Sequence, residues 1–291
     1  ASQTLQALGQ ADAAHMAAAA TGIAALYNKG LVTSADIDLA ATQGKLRGPQ
    51  AIQALAQADS AHQAAAVAEL GSLFNKNVLA ATDITAAIGQ TPLTVMQAGG
   101  ALMRADAGHR AAANTELCAL FARGALAPSD VPAIVAQGYA TGALAMNAMT
   151  LVDAPYQPAA MAALGTLINR GLLAPTDIEA ARDANAMTFG GAILALASTD
   201  AAHQGAALAS ISSLLNKGAA MSEVVGATVN SKAMSGAQAA IALMGVDAAH
   251  RQAANDALAT IWSNGGLTTA MLDSAVGAGL TLWGMRTKRM G

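Results

Sequence analysis

The chain repeats itself every 47 residues, and that period limits the possible folds more than any local motif does. Five histidines stand at His15, His62, His109, His203 and His250, with Tyr156 where the missing step falls. An aspartate precedes each of these six positions by three residues: Asp12, Asp59, Asp106, Asp153, Asp200 and Asp247. Apolar columns keep the same register. One runs Ile23, Leu70, Leu117, Leu164, Ile211, Leu258, and another runs Leu26, Leu73, Leu120, Leu167, Leu214, Ile261. Beside them lie Tyr27, Phe74, Phe121, Ile168, Leu215 and Trp262. The spacing i, i+3, i+4 within each unit is the apolar stripe of an amphipathic helix. No segment alternates as a strand would.

Turn residues divide each unit. YNKG, FARG, INRG and LNKG, at 27–30, 121–124, 168–171 and 215–218, read as helix ends. A cation there complements the helix dipole, and glycine supplies the left-handed residue beyond it. Asn77 holds the glycine position in the second unit. Shortly afterwards Thr82, Ser129 and Thr176 read as N-caps, each followed by an acid. In the fourth unit Pro155 follows Asp153, which favours the aspartate as an N-cap over an unbroken helix. Histidine then takes the third helical position, and Pro158 implies local distortion. Each unit is expected to hold a helix of about ten residues, one of about sixteen starting at the aspartate, and a short third helix.

The expected fold class is therefore all-α: an α-solenoid of six 47-residue, three-helix repeats. The repeats are 1–47, 48–94, 95–141, 142–188, 189–235 and 236–282, forming one domain over 1–282 with a basic tail at 283–291. In period and helix count this resembles the armadillo and HEAT class. The resemblance implies stacking of each unit's apolar face on the next. It brings no functional residue with it, because no diagnostic motif of that class is present.

Composition narrows the chemistry. Seventy-nine of 291 residues are alanine, only 11% are charged and 3% aromatic, and the net charge is −3. Nothing there forms the basic footprint that nucleic acid requires. The longest uncharged stretch, residues 131 to 152, contains Pro132, Gln137 and Asn147 and is divided by the repeat, so no membrane span is expected. ASQTLQALGQAD at the start lacks a secretory pattern. The expectation is a protein of the cytoplasm or of a particle rather than a secreted one.

No catalytic, cofactor-binding or metal-binding residue is assigned. Asp and His three apart make two ligands, and neighbouring units lie about one helix spacing away, too far to share a metal. The Asp–His pairs read as caps. Lys29, Lys76, Arg123, Arg170 and Lys217 read as helix-end cations, facing the periodic acids Asp36, Asp83, Asp130 and Asp177 across a loop. Cys118 falls in a small-residue column, Ala24, Gly71, Cys118, Gly165, Ser212, Ala259, and reads as packing. Nearly every polar feature is repeated, whereas an active site is a unique constellation.

The sequence thus points to a non-catalytic structural or assembly protein, as in a filament, shell or virus particle. Its partners are proteins, including copies of itself through the terminal repeats, where charges at Leu5 and Leu8 would oppose contact. The alternative is a protein- or peptide-binding solenoid scaffold, with variable third helices such as DIDLAATQGK and DIEAARDANA as the place for a groove.

Overall fold

A computed structural model of the chain describes residues 2–229 and 232–277. The tail at 283–291 lies outside the described residues. The chain divides into two compact units, Ala1–Tyr156 and Gln157–Gly291.

The first unit carries α1 (Ser2–Gly9), α2 (Met16–Asn28), α3 (Ser34–Thr42), α4 (Gly48–Ala56), α5 (Gln63–Asn75) and α6 (Ala81–Ala87). It continues with α7 (Val95–Met103), α8 (Arg110–Ala122), α9 (Val131–Ala136) and α10 (Gly142–Met149). The second unit carries α11 (Gln157–Asn169), α12 (Pro175–Asp183), α13 (Phe189–Ala197), α14 (Gln204–Asn216), α15 (Met221–Val229), α16 (Gly236–Met244), α17 (Arg251–Ser263) and α18 (Thr269–Gly277). Among the described residues there is no strand, only one isolated bridge between Ile88 and Thr91. The uncharged stretch 131–152 is split between α9 and α10. No helix among the described residues is long and apolar enough to cross a membrane.

Helices recur at the sequence period. The first helices α4, α7, α10, α13 and α16 begin at Gly48, Val95, Gly142, Phe189 and Gly236, each 47 residues after the last. Their starts are fixed by side chains that bond the free backbone N–H groups of a first turn. The Thr94 hydroxyl accepts from Gln97 N at 3.2 Å, and Gln97 Oε1 accepts from Thr94 N at 2.9 Å. Ser235 and Gln238 make the same pair of bonds. Within each unit, second helices pack on the next first helix: α2 on α4, α5 on α7, α11 on α13 and α14 on α16. Third helices pack on the next second helix: α3 on α5, α6 on α8, α12 on α14 and α15 on α17.

The apolar columns supply the core. Ile23, Leu70, Leu117, Leu164, Ile211 and Leu258 are all buried, as are Leu73, Leu120, Leu167, Leu214 and Ile261. Every second helix ends as its sequence suggests. Gly30, Gly124, Gly171, Gly218, Gly265 and Asn77 have positive φ. In the first repeat Gly30 N donates to Tyr27 O and Leu31 N to Leu26 O, the paired bonds of a Schellman end. The same pair closes the other five second helices.

Four expectations are corrected. The second helices have 13 residues and begin after the histidine, not at the aspartate, so His15, His62, His109, His203 and His250 sit at the N-cap. The reason is that one aspartate oxygen bonds both the histidine N–H and its ring, which closes a turn ahead of the helix. Second, Pro158 is the second residue of α11, where a missing N–H costs nothing, so no distortion is needed. Third, Thr82 and Thr176 are inside their helices, and Ser129 is inside a 3-10 turn, Pro128–Asp130. The N-caps are Ala80, Ala127 and Ala174, whose backbone N–H groups are bonded by Asp83, Asp130 and Asp177 at 2.7–2.8 Å. Fourth, Leu5 is fully buried, so a charge there would disrupt the first repeat rather than probe a free surface.

Candidate functional site

The repeated polar residues meet at the joints between repeats. Each joint begins with the Asp-x-x-His turn. His62 N and His62 Nδ1 both bond Asp59 Oδ1, the ring nitrogen at 2.7 Å. Asp12, Asp106, Asp200 and Asp247 do the same for His15, His109, His203 and His250. These side-chain bonds hold all five aspartates below the usual carboxylate range.

An asparagine from the preceding repeat clasps this turn. Asn28 Oδ1 accepts from Asp59 N at 3.0 Å while its amide donates to Gln57 O. Asn75 does so with Asp106 N and Arg104 O, both at 3.0 Å. In the second unit Asn169 and Asn216 accept from Asp200 N and Asp247 N at 2.8 and 2.9 Å. Histidine also rests on the preceding repeat's aromatic ring. The centroids of Tyr27 and His62 are 5.4 Å apart, and those of Phe74 and His109 are 5.1 Å apart.

Lys76 and Lys217 do not pair with the periodic acids. Asp36, Asp83, Asp130 and Asp177 are occupied by the backbone of their own helix starts. The partners of the two lysines are acids two to six residues further along the third helices. Lys76 Nζ lies 2.6 Å from Asp38, and Lys217 Nζ lies 2.8 Å from Asp183 and 3.5 Å from Glu179. Buried against the first of these pairs is Glu69 of α5, only 9% exposed. Desolvation, then the Asp38 charge, push its carboxyl up to about 7. Asp38 Oδ1 and Glu69 Oε1 are both buried acceptors without a donor. A proton on Glu69 supplies the O–H they lack.

Second helices approach the next first helix through the small-residue column. At Gly71 a Cβ would lie 2.8 Å from Arg104 Cβ, and at Gly165 one would lie 2.6 Å from Ser198 Cβ and 2.8 Å from Ala195 O. Ser212 has room because Gly245 stands opposite, and its hydroxyl donates to Ala242 O at 2.8 Å.

The third joint, within the first unit, departs from this plan. Ala122 replaces the clasping asparagine, Tyr156 replaces histidine, and Cys118 takes the place of the glycine at Gly71 and Gly165. Here α8 and α10 do not make the close pairing seen for α2 with α4 and α5 with α7. Asn114 partly substitutes, its amide donating to Leu151 O at 2.7 Å, but its Oδ1 is buried without a donor. A cleft of about 320 Å³ results, lined by Asn114, Thr115, Cys118, Ala122, Asp153 and Tyr156 among others. The Tyr156 ring still leans on Phe121, at 5.7 Å between centroids. Cys118 is buried, and burial pushes its thiol up, which fits packing better than nucleophilic attack.

In the second unit an open cleft of about 710 Å³ runs along α14, past Gln204, Gly205, Leu208, Ser213 and Lys217 to Ile241 of α16. The third helices show no repeated aromatic among the described residues. No group of three or more His, Cys, Asp or Glu able to hold a metal is formed among the described residues.

The asparagine clasp could have been found in the sequence, because Asn28, Asn75, Asn169 and Asn216 form a column broken only at Ala122 and Ser263. Ala122 and Tyr156 change together at one joint. No protein-family description matches the chain, and no curated protein or solved structure matches it.

Proposed function

We propose that the chain is a non-catalytic structural protein, an α-solenoid of six three-helix repeats whose copies associate through their terminal repeats. One observation carries the reading: two halves of the internal joint are left uncovered. Trp262 is 47% exposed, whereas Tyr27, Phe74, Phe121, Ile168 and Leu215 of the same column are buried. The His15 side chain is 77% exposed, against 20–37% for the other four histidines. A second copy can place its His15 over Trp262 as His62 lies over Tyr27, a head-to-tail contact. Covering apolar surface favours this by about 25 cal/mol per Å². The use of repeated Asp, His and Asn groups in fastening the chain to itself agrees with a structural role.

The test is the mass in solution, by light scattering across a wide concentration range, for the wild type and for Trp262→Glu. Growth with concentration that Trp262→Glu suppresses supports the reading. A wild type that remains monomeric at high concentration defeats it. That outcome favours a second reading, a peptide-binding scaffold, for which the cleft along α14 is the specific support.

A further inference from the structure

The cleft at the third joint differs from the other joints in chemistry as well as in volume. At five repeats the Asp-x-x-His aspartate accepts a histidine ring N–H at 2.7–2.8 Å. Tyr156 has no such N–H, so the Asp153 carboxylate lacks the histidine donor of its five counterparts and meets only the Cys118 thiol, a weak donor. Three further features line the same space. Asn114 has a buried acceptor oxygen with no donor. The Thr115 hydroxyl donates to Ala111 O, which leaves its lone pairs open. The Tyr156 ring presents a π surface, and the space itself exists because Ala122 stands where other joints place an asparagine.

An acceptor-rich cleft with one carboxylate and one aromatic ring is complementary to an organic cation. Ammonium is a multiple donor with no acceptor, it attracts carboxylate, and it is stabilised over a ring face. Volume sets the size: about 320 Å³ is at the small end of ligand clefts and admits a short alkyl chain. We propose that this cleft is a binding site for a small primary alkylammonium ion, with Asp153 as counter-charge, Asn114 and Thr115 as acceptors and Tyr156 as the ring. The site is independent of any association between copies.

Titration calorimetry and NMR shift mapping with n-butylammonium as the probe, and n-butanol as its neutral counterpart, test this. Wild type is expected to saturate with a dissociation constant on the order of 1 mM, and n-butanol to bind about tenfold more weakly or not at all. Asp153→Asn should weaken n-butylammonium about tenfold. Ala122→Asn rebuilds the clasp of the other joints, so it should abolish binding while melting no lower than wild type. That variant separates loss of the site from loss of the fold. The proposal is overturned if wild type shows no saturable uptake up to roughly 50 mM, if n-butanol binds equally well, or if both variants bind as wild type does.

Discussion

Replacing Glu69 by glutamine should change how stability responds to pH more than it changes stability itself. Glu69 faces Asp38 from α3 and Lys76 at the end of its own helix, while α4 and α7, also packed on α5, contribute no charged side chain. Its carboxyl is raised from 4.5 to about 7 in the folded chain. Between those values the folded state keeps a proton that the unfolded state has released. Stability therefore falls as pH rises from about 4.5 to about 7 and levels off above that. At about 1.36 kcal/mol per unit, the shift corresponds to roughly 3 kcal/mol, and residual solvent access reduces the expectation to about 2 kcal/mol. Glu69→Gln keeps the shape and a donor but cannot ionise. Urea unfolding followed by circular dichroism at pH 5, 6, 7 and 8 should show the variant gaining on wild type as pH rises, by about 2 kcal/mol in total. An equal difference at pH 5 and pH 8 would refute the reasoning, because the buried carboxyl would then carry no excess proton.

Asn75→Ala removes both clasp bonds and should cost about 1–2 kcal/mol, with faster hydrogen exchange at the Asp106 amide, while unchanged exchange there would count against the clasp. Gly165→Ala gains about 1 kcal/mol of helix propensity but drives a methyl into the Ala195 carbonyl and Ser198, so the melting temperature should fall. His62→Ala should let the Asp59 carboxyl return upward toward its ordinary range in an NMR titration, since the His62 side-chain bond is the largest cause of its depression. Zinc should not bind stoichiometrically at the Asp–His pairs, and calorimetric uptake of one metal per pair would contradict this.

The helices and their packing faces were legible in the sequence because each buried position recurs six times, so chance apolar residues drop out of the columns. Helix starts were less legible. Asp83 and Asp177 bond the backbone three residues upstream, which moves each start to an alanine that no capping preference would select. The five Asp–His pairs were found, but the shared aspartate oxygen that halts the helix at histidine is a matter of geometry. Glu69 and Asp38 were not legible as a pair. Glu69 stands in a column of Gly22, Glu116, Ala163, Ser210 and Ala257, and only the packing of α3 on α5 buries it beside a second carboxylate. The third-joint cleft was half legible, since Tyr156 marked the place but the loss at Ala122 acquires meaning only from the bond it deletes.

The glycines at the helix crossings bear on how such a gene can change. Tandem arrays readily lose or gain whole units, and a period kept at 47 residues makes every unit equal in length. Two of the crossings oppose exchange. Loss of the second repeat in register would bring α2 against α7 and set Ala24 where Gly71 now passes Arg104, at the point where a Cβ has only 2.8 Å. Loss of the fifth would set Gly165 against Gly245 and leave a gap where Ser212 now bonds Ala242 O. At these two crossings each repeat is fitted to its neighbour, and its place in the order is inherited along with its sequence.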